Sequence, residues 1–274
     1  MEGRSVLLER KDGVAVITFN RPDNRNALSR ALVGEFRAAL EEVRTDSRIR
    51  SLIVTGSGPA FCAGGDIKGF PGQGPSQGRS PSGVEARRYM QQAHRLLLDL
   101  VSLEKPVIAA VNGYAVGAGF NLALACDLLI ASEHASFGQV FAKIGLVPDY
   151  GGIFFLPRLV GLQRAKELMF SGRMITAREA QEYGIVLEVT TADALLPRAE
   201  QVAASLAKGP SAAIGLAKSI LNRSSEMTLE QVLQAEAMAQ GLAFTTKDYL
   251  EGVRAFREKR PPAFGGEQER RDEE

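Results

Sequence analysis

The stretch from Pro106 to Ala125 is the longest apolar region of the chain, and it restricts the fold more than any other segment. It is interrupted only by Asn112, Gly113, Gly117, Gly119, Asn121 and the phenol of Tyr114. These interruptions argue against a membrane span and for a buried strand followed by a buried helix. Pro106-Val107-Ile108-Ala109-Ala110-Val111 reads as the strand, 119–126 as the helix and Leu128-Leu129-Ile130-Ala131 as a returning strand. Upstream, Val14 to Phe19 and Ser51 to Thr55 have strand character. Between them Ser29 can cap a helix whose Leu32, Phe36, Leu40 and Val43 recur at helical spacing. Residues 87–100 read as a further helix. Ala135 to Gly138 reads as a short extended piece, and Ile185 to Val189 as a short final strand. Strand–helix alternation of this kind predicts an α/β layer fold.

From about Pro197 the texture becomes rich in alanine and leucine at helical spacing. Thr176-Ala177-Arg178-Glu179 and Thr228-Leu229-Glu230-Gln231 fit capping boxes. The expected organisation is a core over 1–196, a helical region over 197–264 and a charged, fraying tail over 265–274. The Gly, Pro, Ser and Gln composition of 69–83 predicts a mobile surface loop bordering a site. No internal sequence repeat is visible.

Two glycine-rich segments, Phe61 to Asp66 and Asn112 to Asn121, each follow an apolar run. Each can aim a backbone N–H at one oxygen atom, because glycine permits close approach and a helix N-terminus leaves N–H groups unpaired. Two such donors suit an oxyanion formed on a carbonyl or thioester. Gly145-Leu146-Val147-Pro148-Asp149 adds a carboxylate in apolar company. Other chemistries find less support. Gly117-Ala118-Gly119 begins a dinucleotide fingerprint, but Leu122 stands where the third glycine belongs, and no nucleoside-triphosphate loop or G-x-S-x-G elbow occurs. The two cysteines, Cys62 and Cys126, fit a reducing compartment and no disulfide framework. His94 and His134 are too few for common zinc sites, and no metal site is expected. A net charge of +1 gives no reason to expect a nucleic-acid partner. The opening Met1-Glu2-Gly3-Arg4 carries no apolar leader, so a cytoplasmic location is expected.

The motifs together resemble the crotonase superfamily, the enoyl-CoA hydratase/isomerase family. The resemblance runs from Asn20-Arg21-Pro22 and Asn26-Ala27-Leu28 through Ala60 to Lys68, Lys105 to Gly113 and Ala123 to Ala131. It continues through Ala135 to Gly138 and Leu156 to Gly161, and closes at Glu251 to Arg260. It implies a spiral of repeated β-β-α units followed by a helical trimerisation region, and assembly as a homotrimer or homohexamer. It also implies an acyl-CoA thioester substrate, with coenzyme A arriving as part of that substrate and no prosthetic group. Family motifs place the two N–H donors at Gly65 and Ala118, and CoA contacts at Arg25, Ala63, Asp66, Ile67, Lys68, Lys259 and Arg260. Of these, Lys259 or Arg260 is expected to reach the CoA of a neighbouring subunit. For Asp66 the residues themselves favour structural hydrogen bonding, as they do for Asp127.

Which reaction follows depends on where the chain departs from the pattern. Family hydratases carry two glutamates that activate water; here those positions hold Asn121 and Phe141. With Tyr150 they are expected in the acyl pocket. Asp149 instead resembles the base of family members that shift double bonds, including the isomerase of ring-epoxidised phenylacetyl-CoA. The expected activity is therefore 3-enoyl-CoA to 2-enoyl-CoA isomerisation. The alternatives are a hydratase with a non-standard acid arrangement and a non-catalytic acyl-CoA-binding protein.

Overall fold

The computed structural model describes residues 3–66 and 82–265. It opens with an antiparallel hairpin, β1 (Val6–Lys11) and β2 (Val14–Phe19), turned by Asp12-Gly13 with both φ angles positive. Helix α1 (Arg30–Thr45) follows, with the Ser29 hydroxyl accepting from Leu32 N–H. The same two-strand, one-helix unit then recurs. The second is β3 (Ser51–Gly56), β4 (Ala60–Cys62) and α2 (Gly83–Val101). The third is β5 (Val107–Val111), β6 (Tyr114–Val116) and α3 (Ala118–Leu124). The fourth is β7 (Leu128–Ser132), β8 (Ser136–Gly138) and α4 (Gly152–Ser171). Then come β9 (Met174–Thr176), α5 (Ala177–Glu182) and β10 (Glu188–Thr190).

In units two to four the first strand enters a six-stranded sheet, ordered β1-β2-β3-β5-β7-β10. The second strand enters a four-stranded sheet, ordered β4-β6-β8-β9. This is the expected spiral of β-β-α units. Four helices follow among the described residues: α6 (Leu195–Ala207), α7 (Ser211–Ser224), α8 (Leu229–Ala243) and α9 (Lys247–Glu258).

The continuous apolar text of β5 has a direct cause. Val107, Ala109 and Val111 face the main core between the sheets and α1–α3, while Ile108 and Ala110 face a second core closed by Leu195, Ala199 and Ala203 of α6. A parallel strand buried on both faces needs apolar residues at every position. Four hydrophobic positions read from α1, Leu32, Phe36, Leu40 and Val43, are all buried.

Several boundaries differ from expectation. Helix α2 begins at Gly83 rather than 87, because Ser82 and Glu85 form a capping box that extends it. Helix α3 begins at Ala118 and ends at Leu124. Ile185 and Val186 lie outside strand structure: they are buried in a loop under α5, where both N–H groups donate to Ala180 O, and pairing begins only at Glu188. Helix α4 had no clear periodicity, since it contains Pro157 and is broken at Gly161 (φ 73, ψ 161). Most of the 69–83 segment and all of the tail beyond Gly265 lie outside the described residues. Among the described residues no helix is long and apolar enough to cross a membrane.

Candidate active site

Strands β4 and β6 are parallel neighbours, with Ala60 opposite Tyr114 and Cys62 opposite Ala115. The two glycine-rich segments therefore leave the same edge of the small sheet side by side. Gly117 adopts φ 55, ψ −125, a conformation open to glycine, and this turns the chain directly into α3. A Cβ on Gly119 would stand 2.2 Å from the Cys62 carbonyl oxygen, so the start of α3 lies against the first segment. Ala118 is the first residue of α3, where an N–H has no partner within the helix. Gly65 forms an isolated parallel bridge with Leu28. The bonds of that bridge run from Leu28 N–H to Gly64 O (2.8 Å) and from Asp66 N–H to Leu28 O (3.3 Å). They flank Gly65 and leave its own N–H outside the ladder.

Gly65 and Ala118 line one cavity with about 100 Å³ of water-accessible space, together with Phe141, Asp149 and Tyr150. Ala63 is also on its wall. Asp149 reaches it from the turn before α4. Burial pushes its carboxyl up to about 6 from an ordinary 3.8. Its Oδ1 is buried with no hydrogen-bond partner among the described residues. Tyr150 follows at φ 45 and is 5% exposed. Its hydroxyl is held protonated by burial and then by the neighbouring Asp149 charge, and burial acts likewise on Tyr89 of α2. The cavity wall thus brings together Gly65 and Ala118, which can each offer a backbone N–H, one carboxylate raised by burial and an apolar lining. That set can move a proton beside a carbonyl whose oxygen is held by the donors.

Not every expected site residue joins this cavity. Asn121 does not line it: the side chain is fully buried beneath, donating to Asp149 O (2.7 Å) and accepting from Gln139. Asp66 is held by Arg21, Nη1 to Oδ2 3.3 Å. Asp127 accepts from Val107 N–H (2.7 Å) and pairs with Lys218 (2.7 Å). Arg25 is exposed, with its guanidinium 5.7 Å from the centroid of the Tyr114 ring. Lys259 is exposed at the end of α9, and Arg260 pairs with Glu251 and Glu258 of its own chain. Ile67 and Lys68 lie outside the described residues. Cys62 is a core thiol pushed up to about 12 by burial, so it is not a poised nucleophile, and His94, lowered by burial, does not line the cavity. No cluster of three or more metal-ligating side chains occurs among the described residues. Sequence reasoning missed Leu28 and Tyr89, which also line the cavity, and Gln139 beneath it. Leu28 and Tyr89 reach the site only through the packing of neighbouring units, and no local pattern marks Gln139.

Residues 9–268 match the family model described as enoyl-CoA hydratase/isomerase. The chain belongs to the enoyl-CoA hydratase/isomerase family. It is 41% identical over 266 residues to a probable enoyl-CoA hydratase of Rhodobacter capsulatus, covering 97% of this chain and 100% of that protein. It is 38% identical to the 1,2-epoxyphenylacetyl-CoA isomerase of Escherichia coli, covering 95% and 98% of the two chains. The crystal structure of an enoyl-CoA hydratase from Bacillus anthracis superimposes with a TM-score of 0.88 at 37% identity, covering 96% and 100%. Membership of this family makes the protein an enzyme of the hydratase/isomerase group. Its relatives include both reaction types, so the choice between them turns on the side chains of the site.

Proposed function

We propose that the protein is an acyl-CoA double-bond isomerase that converts 3-enoyl-CoA to 2-enoyl-CoA with Asp149 as its single base. One observation carries this reading: Asp149 is the carboxylate that lines the same cavity as Gly65 and Ala118, while Phe141 forms part of its wall and Asn121 is buried below. The thioester oxygen accepts from both N–H groups. Asp149 takes a proton from C2, and the electrons pass into a dienolate whose negative charge collects on that oxygen. The same carboxyl then returns a proton to C4, leaving the 2,3-double bond conjugated with the thioester. Each donor contributes roughly 2.7–4 kcal/mol to the charged intermediate by analogy with a hydrolase oxyanion hole. With its carboxyl near 6, Asp149 is mostly ionised at neutral pH yet basic enough to accept the proton.

Coenzyme A phosphates call for positive charge near the cavity mouth. The exposed Arg25 suits that part, Lys259 suits it from a neighbouring subunit, and Arg260 suits it less because two glutamates already engage it. A homotrimeric or homohexameric assembly belongs to the same proposal. It is supported by α8, which buries no residue in the single chain and exposes Leu229, Leu233, Met238 and Leu242.

Incubation with 3-enoyl-CoA and 2-enoyl-CoA separately tests the reading. It requires conversion of the first and little hydration of the second. Rapid formation of 3-hydroxyacyl-CoA from 2-enoyl-CoA would favour a hydratase, and binding without conversion of either would favour a non-catalytic acyl-CoA-binding protein.

A further inference from the structure

We infer that Asn121 and Gln139 form a buried amide clamp that positions Asp149 for proton transfer. This rests on the reading of Asp149 as the base. Both side chains are fully buried, an arrangement that demands hydrogen-bond partners. Gln139 Nε2 donates to Asn121 Oδ1 at 2.5 Å, and Asn121 Nδ2 donates to the Asp149 carbonyl at 2.7 Å. The direction of this chain is forced. A carbonyl oxygen can only accept, so the Asn121 atom facing Asp149 is its NH₂. Its oxygen then faces Gln139, which must present its own NH₂. An ionised carboxylate at position 121 would place an acceptor against an acceptor.

The clamp also ties the two halves of the site together. Ala118 and Asn121 stand three residues apart on α3, and such pairs share a helix face. One short helix therefore carries a proposed oxyanion donor and the hold on the base. Gly152 N–H gives the Asp149 carbonyl a second hydrogen bond, at 3.0 Å. A Cβ on Gly152 would stand 2.4 Å from Asn121 Nδ2, so glycine is needed there for Asn121 to reach the turn. Tyr89 of α2 and the adjacent Tyr150 feel the Asp149 charge, and His94 of α2 and Cys62 of β4 lie against Tyr150. Asp66 acts at Tyr89, and Arg30 of α1 stands over the Tyr89 ring. None of these belongs to the clamp.

The test compares Asn121→Ala, Asn121→Asp, Gln139→Leu and Gly152→Ala with the parent enzyme on 3-enoyl-CoA. Thermal unfolding establishes that each variant is folded. Asn121→Ala is expected to lower kcat about 10- to 100-fold with KM within about twofold, because misplacing a base impairs the chemical step rather than binding. Gly152→Ala follows it. Gln139→Leu lowers kcat less, as Asn121 keeps its own bond to Asp149. Asn121→Asp is the sharper probe: its carboxyl donates to Asp149 only while protonated, so its deficit relative to the parent deepens as pH rises. If position 121 merely filled space, the new charge would act only by raising the Asp149 carboxyl, and the deficit would shrink as pH rises. The Asp149 carboxyl titration, followed by carbon NMR, supplies a readout independent of turnover and shifts in the clamp variants. If Asp149→Asn retains full turnover, the isomerase reading fails while the titration still decides the clamp. Unchanged kcat and unchanged Asp149 titration in folded Asn121→Ala or Gln139→Leu would overturn the inference.

Discussion

Replacing Asp149 by Asn should make the enzyme inactive and, above neutral pH, more stable. The carboxyl rises from 3.8 to about 6 on folding because burial disfavours its charge. At about 1.36 kcal/mol per pH unit, the ionised form opposes folding by about 3 kcal/mol. The sign follows from proton affinity: the folded chain binds this proton more tightly than the unfolded chain does. The penalty is absent well below 3.8, grows between 3.8 and about 6, and is complete above that range. At pH 5 it is about half its full size by the same linkage. An asparagine carries no such penalty, but its amide differs from a carboxyl in hydrogen bonding at every pH. That difference cancels when two pH values are compared. Urea unfolding at pH 5 and pH 8 should therefore show the variant gaining about 1.5 kcal/mol more, relative to the parent, at pH 8. An equal shift at both pH values would mean that folding does not desolvate this carboxylate, and the argument for a poised base would fall.

Other substitutions probe the remaining parts. Ala118→Pro removes one N–H at a helix position where proline is tolerated, and should lower kcat about 10²–10³-fold in steady-state assays while far-UV circular dichroism stays unchanged. Parent activity should rise through about pH 6 as Asp149 ionises. Phe141→Glu places a second negative charge on the same cavity wall and should move that limb to higher pH without producing 3-hydroxyacyl-CoA, because Asn121 remains a buried amide. Phe36→Ala, which opens the core beside Phe19, should lose about 3–5 kcal/mol of unfolding free energy while kcat of the folded enzyme is retained.

The strands with the strongest apolar text were legible because they are buried on both faces. β5 is the clearest case, with all five residues buried. Helix α1 was legible through its cap and its regular spacing. The short strands β4, β6 and β9 were not read as strands. Each has three residues, and each is defined by its neighbours in the small sheet rather than by its own pattern. The repeat shows the same limit: the β-β-α unit recurs in backbone path, whereas its residues differ because each copy packs against a different neighbour. At the site, the glycines announced both N–H segments, since a turn at Gly117 and a close approach at Gly119 exclude most other residues. Asn121 was assigned to the pocket wall but lies one layer deeper. Its position on α3 was legible, but its burial depends on Gln139 and Gly152, which arrive from later in the chain.

The central claim is that Asp149 carries the proton between C2 and C4 of a thioester held by Gly65 and Ala118. Proton NMR of 3-enoyl-CoA with the parent enzyme and with Asp149→Asn tests it most directly. The expected result is 2-enoyl-CoA as the product of the parent, without accumulation of 3-hydroxyacyl-CoA, and no conversion by a variant that still binds acyl-CoA. Undiminished conversion by Asp149→Asn would contradict it.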